Sequence, residues 1–358
     1  MNGMKKMNKM TRNNLITYVM VIVLYLIVQA LIMSGSLSSL MQGLLVPLCA
    51  YVILAVSLNL TVGILGELSL GHAGFMCVGA FFSAFFSKCT SAAIPVAGLR
   101  YFIALLIGAA AAGVCGILIG IPVLRLKGDY LAIVTLAFGE IIKNIMNILF
   151  IGKDANGFHF STKDVMALNM EPDGVVIING LQGITGTPKD FSFTVGGLLI
   201  LLTLFIVLNL IHSRSGRAIM AIRDNRIAAE SIGINVTKYK LMAFSISAAL
   251  AGVAGVIYAH NLATLTAQPK NFGYNMSIMI LVFVVLGGIG NIRGSIIAAI
   301  VLTLLPELLR SLSDYRMLIY AVVLIAMMLF NWSPKAIEWR EKYAEKFRAR
   351  KKAKAEEV

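Results

Sequence analysis

The sequence predicts an all-α, polytopic bundle of membrane-spanning helices, about ten in number, and three observations carry the prediction. Of 358 residues, 58% are apolar and only 13% charged, against about a quarter charged in soluble domains. Ten stretches approach or exceed the run of about 20 apolar residues that a helix needs to cross the hydrocarbon layer. Lys and Arg gather between those stretches rather than within them. Together these exclude a soluble enzyme, a disordered chain and a disulfide scaffold. With 32 Gly, 8 Pro and no low-complexity tract, collagen-like and linker-type chains are excluded as well.

In chain order the expected spans are 15–33, 43–61, 66–87, 101–123, 131–151, 193–212, 241–261, 274–290, 295–310 and 316–332. The first follows a basic start (Lys5, Lys6, Lys9, Arg12) and precedes Ser34, Gly35 and Ser36, as a signal peptide would. Its apolar run exceeds the usual span of about 7–15 residues, so it is read as an uncleaved anchor. The third is rich in Gly and Ser, and the ninth is short. Ten crossings put both termini on one side. With the N-terminus inside, the inner segments hold 22 Lys and Arg and the outer loops eight, which predicts both termini in the cytoplasm of a bacterial cell. The chain is therefore divided into a cytoplasmic tail 1–14, a transmembrane region 15–332 and a basic cytoplasmic tail 333–358. The net charge of +14 invites a nucleic-acid reading, but the final basic run (Arg348, Arg350, Lys351, Lys352, Lys354) interleaves no aromatic platform. It reads as a headgroup-facing tail. Cys49, Cys77, Cys89 and Cys115 show no C-x-x-C spacing and read as small packing residues.

Two loops exceed ordinary connections. The outer loop 152–192 mixes charges with a Gly-rich run, Gly180-Leu-Gln-Gly183-Ile-Thr-Gly186. The inner loop 213–240 reads as structured. Ala218, Ile219 and Ile222 recur at helical spacing, as do Ile227, Ala228, Ser231 and Ile232. Asp224 is expected to cap the second helix, and Gly233 to end it. Short helices of small residues flanked by charge suit a groove on a soluble partner. A plain basic connection is the competing reading.

Polar residues within the spans need a reason, because a mid-membrane ionisable group costs about 2.5–3.5 kcal/mol. Glu140, Lys143, Asn144 and Asn147 share one helix face, and Glu140 and Lys143 can pair along it. That face can form an interhelical seam, line a path for a solute, or serve ion coupling. In the third span, Gly66-Glu67-Leu-Ser69-Leu-Gly71-His72-Ala-Gly74-Phe75 breaks the apolar run. Glu67, Gly71, Gly74 and Val78 share a face open to close approach, and a Gly-rich interruption points to a binding element in transporters. His72 is either an internally bonded core residue or part of that element. No metal site is legible here, for want of further ligands, nor is a Ser-His-Asp arrangement. The run Gly287-Gly288-Ile-Gly290-Asn291-Ile-Arg293-Gly294 fails the dinucleotide-loop pattern and reads as a tight inner turn. No Walker A sequence is present, so any ATP is used by a partner.

Five stretches in order (66–75, 124–140, 180–186, 216–258 and 287–299) resemble the permease subunits of ATP-binding-cassette importers for branched-chain amino acids, the M-type subunit in particular. The run Arg223-Asp224-Asn225-x-x-Ala228-Ala229-Glu230-x-x-Gly233-Ile is similar to the cytoplasmic coupling loop of those permeases, with Ile227 where Glu is common in the general importer form. The resemblance implies that Arg223, Asp224, Asn225, Ala228, Ala229, Glu230 and Gly233 couple to an ATP-binding subunit. Glu67, Ser69, Gly71, His72, Gly74, Glu140, Lys143 and Asn144 are the candidates for the translocation path. It further implies a heterodimer with a second permease subunit, two ATP-binding subunits that hold the ATP and Mg, and an extracytoplasmic substrate-binding protein. This chain itself would need no cofactor and catalyse nothing. Urea or short amides compete as substrates within the family. An ion-coupled secondary transporter using Glu67, His72, Glu140 and Lys143 is the competing class.

Overall fold

The computed structural model describes residues 9–332 except 92, 127, 189–191, 313 and 314. Residues 1–8 and the basic tail 333–358 lie outside the described residues. Two compact units divide the chain, residues 1–300 and 301–358.

In the first unit, α1 (Lys9–Met33) is followed by α2 (Ser39–Asn59), which winds without a break into a π-helical turn, Leu60–Leu65. Then come α3 (His72–Cys89), α4 (Ala97–Val123) and α5 (Asp129–Ile148). A segment carrying strands β1 (Phe150–Asp154), β2 (Gly157–Ser161), β3 (Val175–Asn179) and β4 (Ile184–Thr185) leads to α6 (Phe193–His212). The short helices α7 (Arg214–Asp224) and α8 (Arg226–Ser231) precede α9 (Val236–Ala259), strand β5 (Thr264–Leu265), α10 (Pro269–Phe272), α11 (Tyr274–Gly287) and α12 (Ile292–Leu308). The second unit holds the end of α12, a 3-10 turn Leu309–Leu312 and α13 (Arg316–Trp332), with Arg310 paired to Glu307 at 3.0 Å.

Among the described residues seven helices are long and apolar enough to cross a membrane: Asn14–Met33, Ser39–Leu65, Ala97–Val123, Asp129–Ile148, Phe193–His212, Val236–Ala259 and Pro269–Gly287. Helices also stand at the other three expected spans, but α3 has 18 residues and α12 and α13 have 17 each. The third expected span needs correction. Its helix begins at His72, and 66–71 runs as non-helical backbone. Gly66 takes φ +80°, a left-handed conformation that ends the π-helical turn.

The packing is close because small residues permit it. A Cβ on Gly79 of α3 would strike the Gly252 backbone of α9, and one on Gly74 would lie 2.6 Å from the Gly139 Cα of α5. Two Ser–His pairs join α3 to α9 at different depths: His72 Nε2 to Ser247 Oγ at 3.0 Å, and Ser87 Oγ to His260 Nε2 at 2.8 Å. Phe81, Phe244, Phe272 and Phe283 are wholly buried. In contrast α1 exposes Leu15, Ile16, Val19, Ile22, Val23, Leu26 and Ile27, as a lipid-facing helix does, and stacks Tyr25 on Phe193 of α6.

The all-α expectation fails in 152–192. Here β1 is the centre of a three-stranded antiparallel sheet, pairing Phe150 with Ser161 of β2 and with Asn179 of β3. The β-branched run Val175-Val-Ile-Ile and the alternating Gly157-Phe-His-Phe-Ser explain the strands. A second pairing, β4 with β5, ties this insert to the segment after α9. Lys88 at the end of α3 donates to the Val176 carbonyl at 3.0 Å.

These contacts sort the connections into two ends. At the sheet end lie the close of α3, the insert and the segment after α9. At the other end Arg223 of α7 meets Gly63 of the π-helical turn, Gly290 meets Asn59, Thr17 of α1 meets Arg293, and Asn14 stands 3.5 Å from His212. The long helices of the first unit thus run between these two ends, with α7 and α8 at the second.

Replacing Gly79 by Val is expected to destabilise the bundle by about 1–3 kcal/mol, the usual cost of overpacking. A lowered thermal midpoint of the detergent-solubilised chain checks it; an unchanged midpoint contradicts the packing account.

Candidate functional site

The α7–α8 pair is built from its own sequence. Ser213 caps α7 by accepting from the Gly216 N–H at 3.0 Å, and Ile219 and Ile222 turn inward, 0% and 3% exposed. The cap of α8 is Asn225 and not Asp224. Asn225 has the extended backbone of a capping residue, and its Oδ1 accepts from the Ala228 N–H at 3.0 Å. Asp224, still in the last turn of α7, accepts instead from the Arg223 guanidinium at 2.8 and 3.0 Å. Gly233 (φ +85°) ends α8 as expected. Its N–H bonds the Glu230 carbonyl, and the Ile234 N–H bonds the Ala229 carbonyl, both at 3.0 Å, which is a Schellman closure.

The apolar stripe of α8, unlike that of α7, is exposed. Only Ala229 is buried, against Ile222 and Val236. Ile227 and Ile232 are 80% and 75% exposed, with Ala228 and Ser231 also exposed. Glu230 pairs along the helix with Arg226 at 3.1 Å. The six-residue helix is thus capped at both ends and, with its C-cap residue, shows two isoleucines to the surface.

The interrupted segment 66–71 enters the bundle beside it. Its backbone is held by neighbouring elements of the protein. The Glu67 N–H bonds the Thr61 carbonyl at 3.1 Å, and the Leu70 N–H bonds Thr135 Oγ1 of α5 at 3.0 Å. The Ala73 N–H, in the first turn of α3, bonds Ser277 Oγ of α11 at 3.2 Å. Gly71 packs so tightly that a Cβ would lie 2.7 Å from the Thr135 carbonyl. Glu67 pairs with Lys240 of α9, and both side chains are largely covered. Ser69 and His72 are buried. Ser247 Oγ donates its single hydrogen to the Ser57 carbonyl, so it must accept from His72 Nε2–H. His72 Nδ1 is then a bare lone pair. It has no partner, and neither do Ser69 Oγ and Thr61 Oγ1.

On α5, Glu140 pairs with Lys143 and also accepts from the Tyr274 N–H at 2.7 Å. That amide opens α11, where helix N–H groups lack intrahelical partners and favour an anion. Asn147 donates to the Ala267 carbonyl at 3.1 Å, while Asn144 is exposed. The face expected on α5 is therefore occupied, except at Asn144, by contacts to the segment before α11 and to α11 itself. Sequence reasoning missed Lys240, Asn59 and Arg223's contact with Gly63. The signal was a polar group at the edge of an apolar span, just inside it at Asn59 and just before it at Lys240, which demands a partner. Asn59 finds two: it donates to Ser295 Oγ at 2.7 Å and accepts from the Gly290 N–H at 2.9 Å, pinning the turn 287–294 to α2.

In the insert, Asp154 organises the β1–β2 turn. Its carboxylate accepts from the Asn156 and Gly157 N–H groups at 2.9 and 3.0 Å and from His159 at 2.9 Å. Desolvation raises its pKa, but the Asn156 and Glu171 amides and the His159 ring outweigh it and hold the carboxyl below the usual carboxylate range. Among the described residues, no three His, Cys, Asp or Glu could together hold a metal ion.

A helical membrane bundle with an interrupted segment and an exposed, capped helix pair at one end defines a transport-type integral membrane protein. The particular family follows from comparison. Residues 40–330 match the family described as branched-chain amino acid transport system / permease component, and the chain belongs to that family. It is 36% identical over 296 residues to the high-affinity branched-chain amino acid transport system permease protein LivM of Escherichia coli (strain K12), covering 80% of this chain and 67% of that protein. The LivM protein of Salmonella typhimurium is 35% identical over the same shares. The ribose import permease protein RbsC of Escherichia coli is 35% identical over 128 residues, 34% of this chain and 39% of that protein. No solved structure matches. The chain is a multi-pass protein of the cell membrane.

Removing Lys143 alone (Lys143→Met) leaves Glu140 with only the Tyr274 amide and is expected to cost about 1.5–3 kcal/mol, the worth of a hydrogen bond to a charged group. The double variant Glu140→Gln, Lys143→Met should recover part of that loss in thermal unfolding; a double variant as unstable as the single one contradicts the pairing. At the β1–β2 turn the folded Asp154 pKa lies below the ordinary 3.8. Amide protection at Asn156 and Gly157 should therefore be complete above that value and vanish as pH falls through the lower folded one. Hydrogen exchange across that range checks the sign, and protection that rises on acidification contradicts it.

Proposed function

We propose that this chain is one permease subunit of an ATP-driven importer that moves branched-chain amino acids inward by alternating access. Family membership supports the substrate class. The observation that carries the mechanism is the exposed isoleucine pair of α8, Ile227 and Ile232, on a helix capped at both ends. An apolar pair of this kind on a rigid element fits a groove in a soluble partner. In this reading Arg223, Asp224, Asn225, Ala228, Ala229, Glu230 and Gly233 form or brace the contact with an ATP-binding subunit. Two such subunits bind ATP and Mg, a second permease subunit completes the membrane part, and an extracytoplasmic protein delivers the substrate. This chain does no covalent chemistry.

The topology belongs to the same proposal: ten crossings, both termini cytoplasmic, tails 1–14 and 333–358, a transmembrane region 15–332, and the sheet insert outside. We place the path beside the interrupted segment. Ser69 and His72 offer polar atoms without partners there, Gly71 and Gly74 admit α5 closely, and Glu67, Glu140, Lys143 and Asn144 set the polarity around it. Because Glu67, Glu140 and Lys143 already have partners, the geometry favours this reading over ion coupling.

Affinity purification in mild detergent tests the assembly. The ATP-binding subunit should copurify with the chain, and proteoliposomes of the whole complex should take up leucine when supplied with ATP. Ile227→Asp is expected to reduce recovery of the ATP-binding subunit about tenfold, a loss of roughly 1.4 kcal/mol, with insertion of the chain unaltered. Full recovery would remove α8 from the interface.

A further inference from the structure

The α7–α8 pair and the start of α9 each hold the chain near the start of the interrupted segment, one at Gly63 just before it and one at Glu67 within it. Arg223 Nη1 donates to the Gly63 carbonyl at 3.0 Å. Gly63 sits in the π-helical turn that ends α2, where carbonyls run out of intrahelical donors. A cation there also meets the negative end of the helix dipole. Arg223 is itself steadied by Asp224, and its side chain packs against Gly66, where a Cβ would lie 2.6 Å from Arg223 Cγ. The second point is the ion pair between Glu67, the next residue of the segment, and Lys240. Lys240 lies early in α9, the helix into which α8 leads. Gly63 also abuts Gly290, whose N–H is held by Asn59. The turn after α11 therefore joins the same assembly.

The π-helical turn ends α2 and is followed directly by the segment that holds Ser69 and leads to His72. We infer that Arg223 and the Glu67–Lys240 pair form a two-point tether that transmits movement of the α7–α8 pair to 66–71. Arg223 and Lys240 act here as positioning residues and need not touch the transported molecule. The inference rests on the proposed docking of α8. Its local part, that the tether restrains 66–71, stands independently of that docking.

The experiment follows the exposed residue of the segment. Leu68 is 41% exposed, so Leu68→Cys, in a chain whose four native cysteines are replaced, reports access to a membrane-impermeant maleimide in inside-out vesicles. In the chain alone, Arg223→Gln with Lys240→Gln should speed labelling about tenfold, since each loss releases a charge-assisted hydrogen bond that opposes local opening. In the assembled complex, ATP with vanadate should change the labelling rate severalfold, and the double variant should abolish that change. Exchanging the charges (Glu67→Lys with Lys240→Glu) should restore slow labelling relative to Lys240→Glu alone, which separates the tether from a general loss of folding. Labelling at the parent rate in the double variant, or no rescue by the exchange, overturns the inference. Loss of the ATP-binding subunit from Arg223→Gln but not from Lys240→Gln also overturns it, because Arg223 is then a docking residue. If the parent chain captures no ATP-binding subunit, the docking proposal fails, while the labelling of the chain alone still decides the tether.

Discussion

A backbone that leaves its helix inside a lipid bilayer must find every hydrogen-bond partner within the protein. In the stretch 66–71 the Gly66, Glu67 and Leu70 N–H groups find such partners, and much of the bundle is arranged around it. Thr135, Thr61, Ser277, Ser247 and Lys240 come from three helices and the π-helical turn, and each spends a polar group on this stretch or on the first residues of α3. The glycines at 71, 74 and 139 let α5 approach closely enough for Thr135 to reach. A bilayer offers no water to replace any of these partners. These polar groups form one connected system around the stretch, and it leaves Thr61 Oγ1, Ser69 Oγ and His72 Nδ1 open.

The same economy governs the two ends. At one, an asparagine between α2 and the π-helical turn holds the turn that follows α11. At the other, a lysine at the end of α3 holds a strand of the insert. Each cation or amide closes a backbone carbonyl or N–H left open by the end of an element. Helix ends are where membrane proteins keep such groups, and here the chain uses them as joints between helices that are distant in sequence.

Much of this was legible beforehand, and the parts that were not share one cause. The apolar runs located the ten long helices, including α6 to the residue, because length and hydropathy are properties of a single segment, and missed the four-residue α10. Gly233 was legible as a stop, since only its own φ was at issue. Asp224 was mistaken for the cap because a sequence permits either neighbour to begin the helix, and the pairing of Asp224 with Arg223 decides between them. The stripe Ile227, Ala228, Ser231 and Ile232 was read correctly as periodic, but periodicity does not tell which side is covered. The strands of the insert were hidden in a loop of mixed composition, because their pairing joins residues far apart in the chain. Glu67 and Glu140 were visible as ionisable residues in apolar surroundings. Their partners, Lys240 from a remote helix and the Tyr274 amide, were not.

The pairing of β4 with β5 has a consequence for how this chain tolerates change. It clasps the insert near its return to the membrane, while β1 follows α5 almost without a gap, so the insert is closed at both of its roots. A segment closed in this way can be lengthened only where neither clasp is disturbed. The exposed residues 162 and 163, between β2 and the turn at Met166–Leu168, meet that condition. The run 180–186 does not, because the Gly183 backbone lies against Leu265 and the Gly186 N–H bonds the Ala263 carbonyl. An epitope or a fluorescent probe belongs at the first position. At the second it would pry the insert from α9.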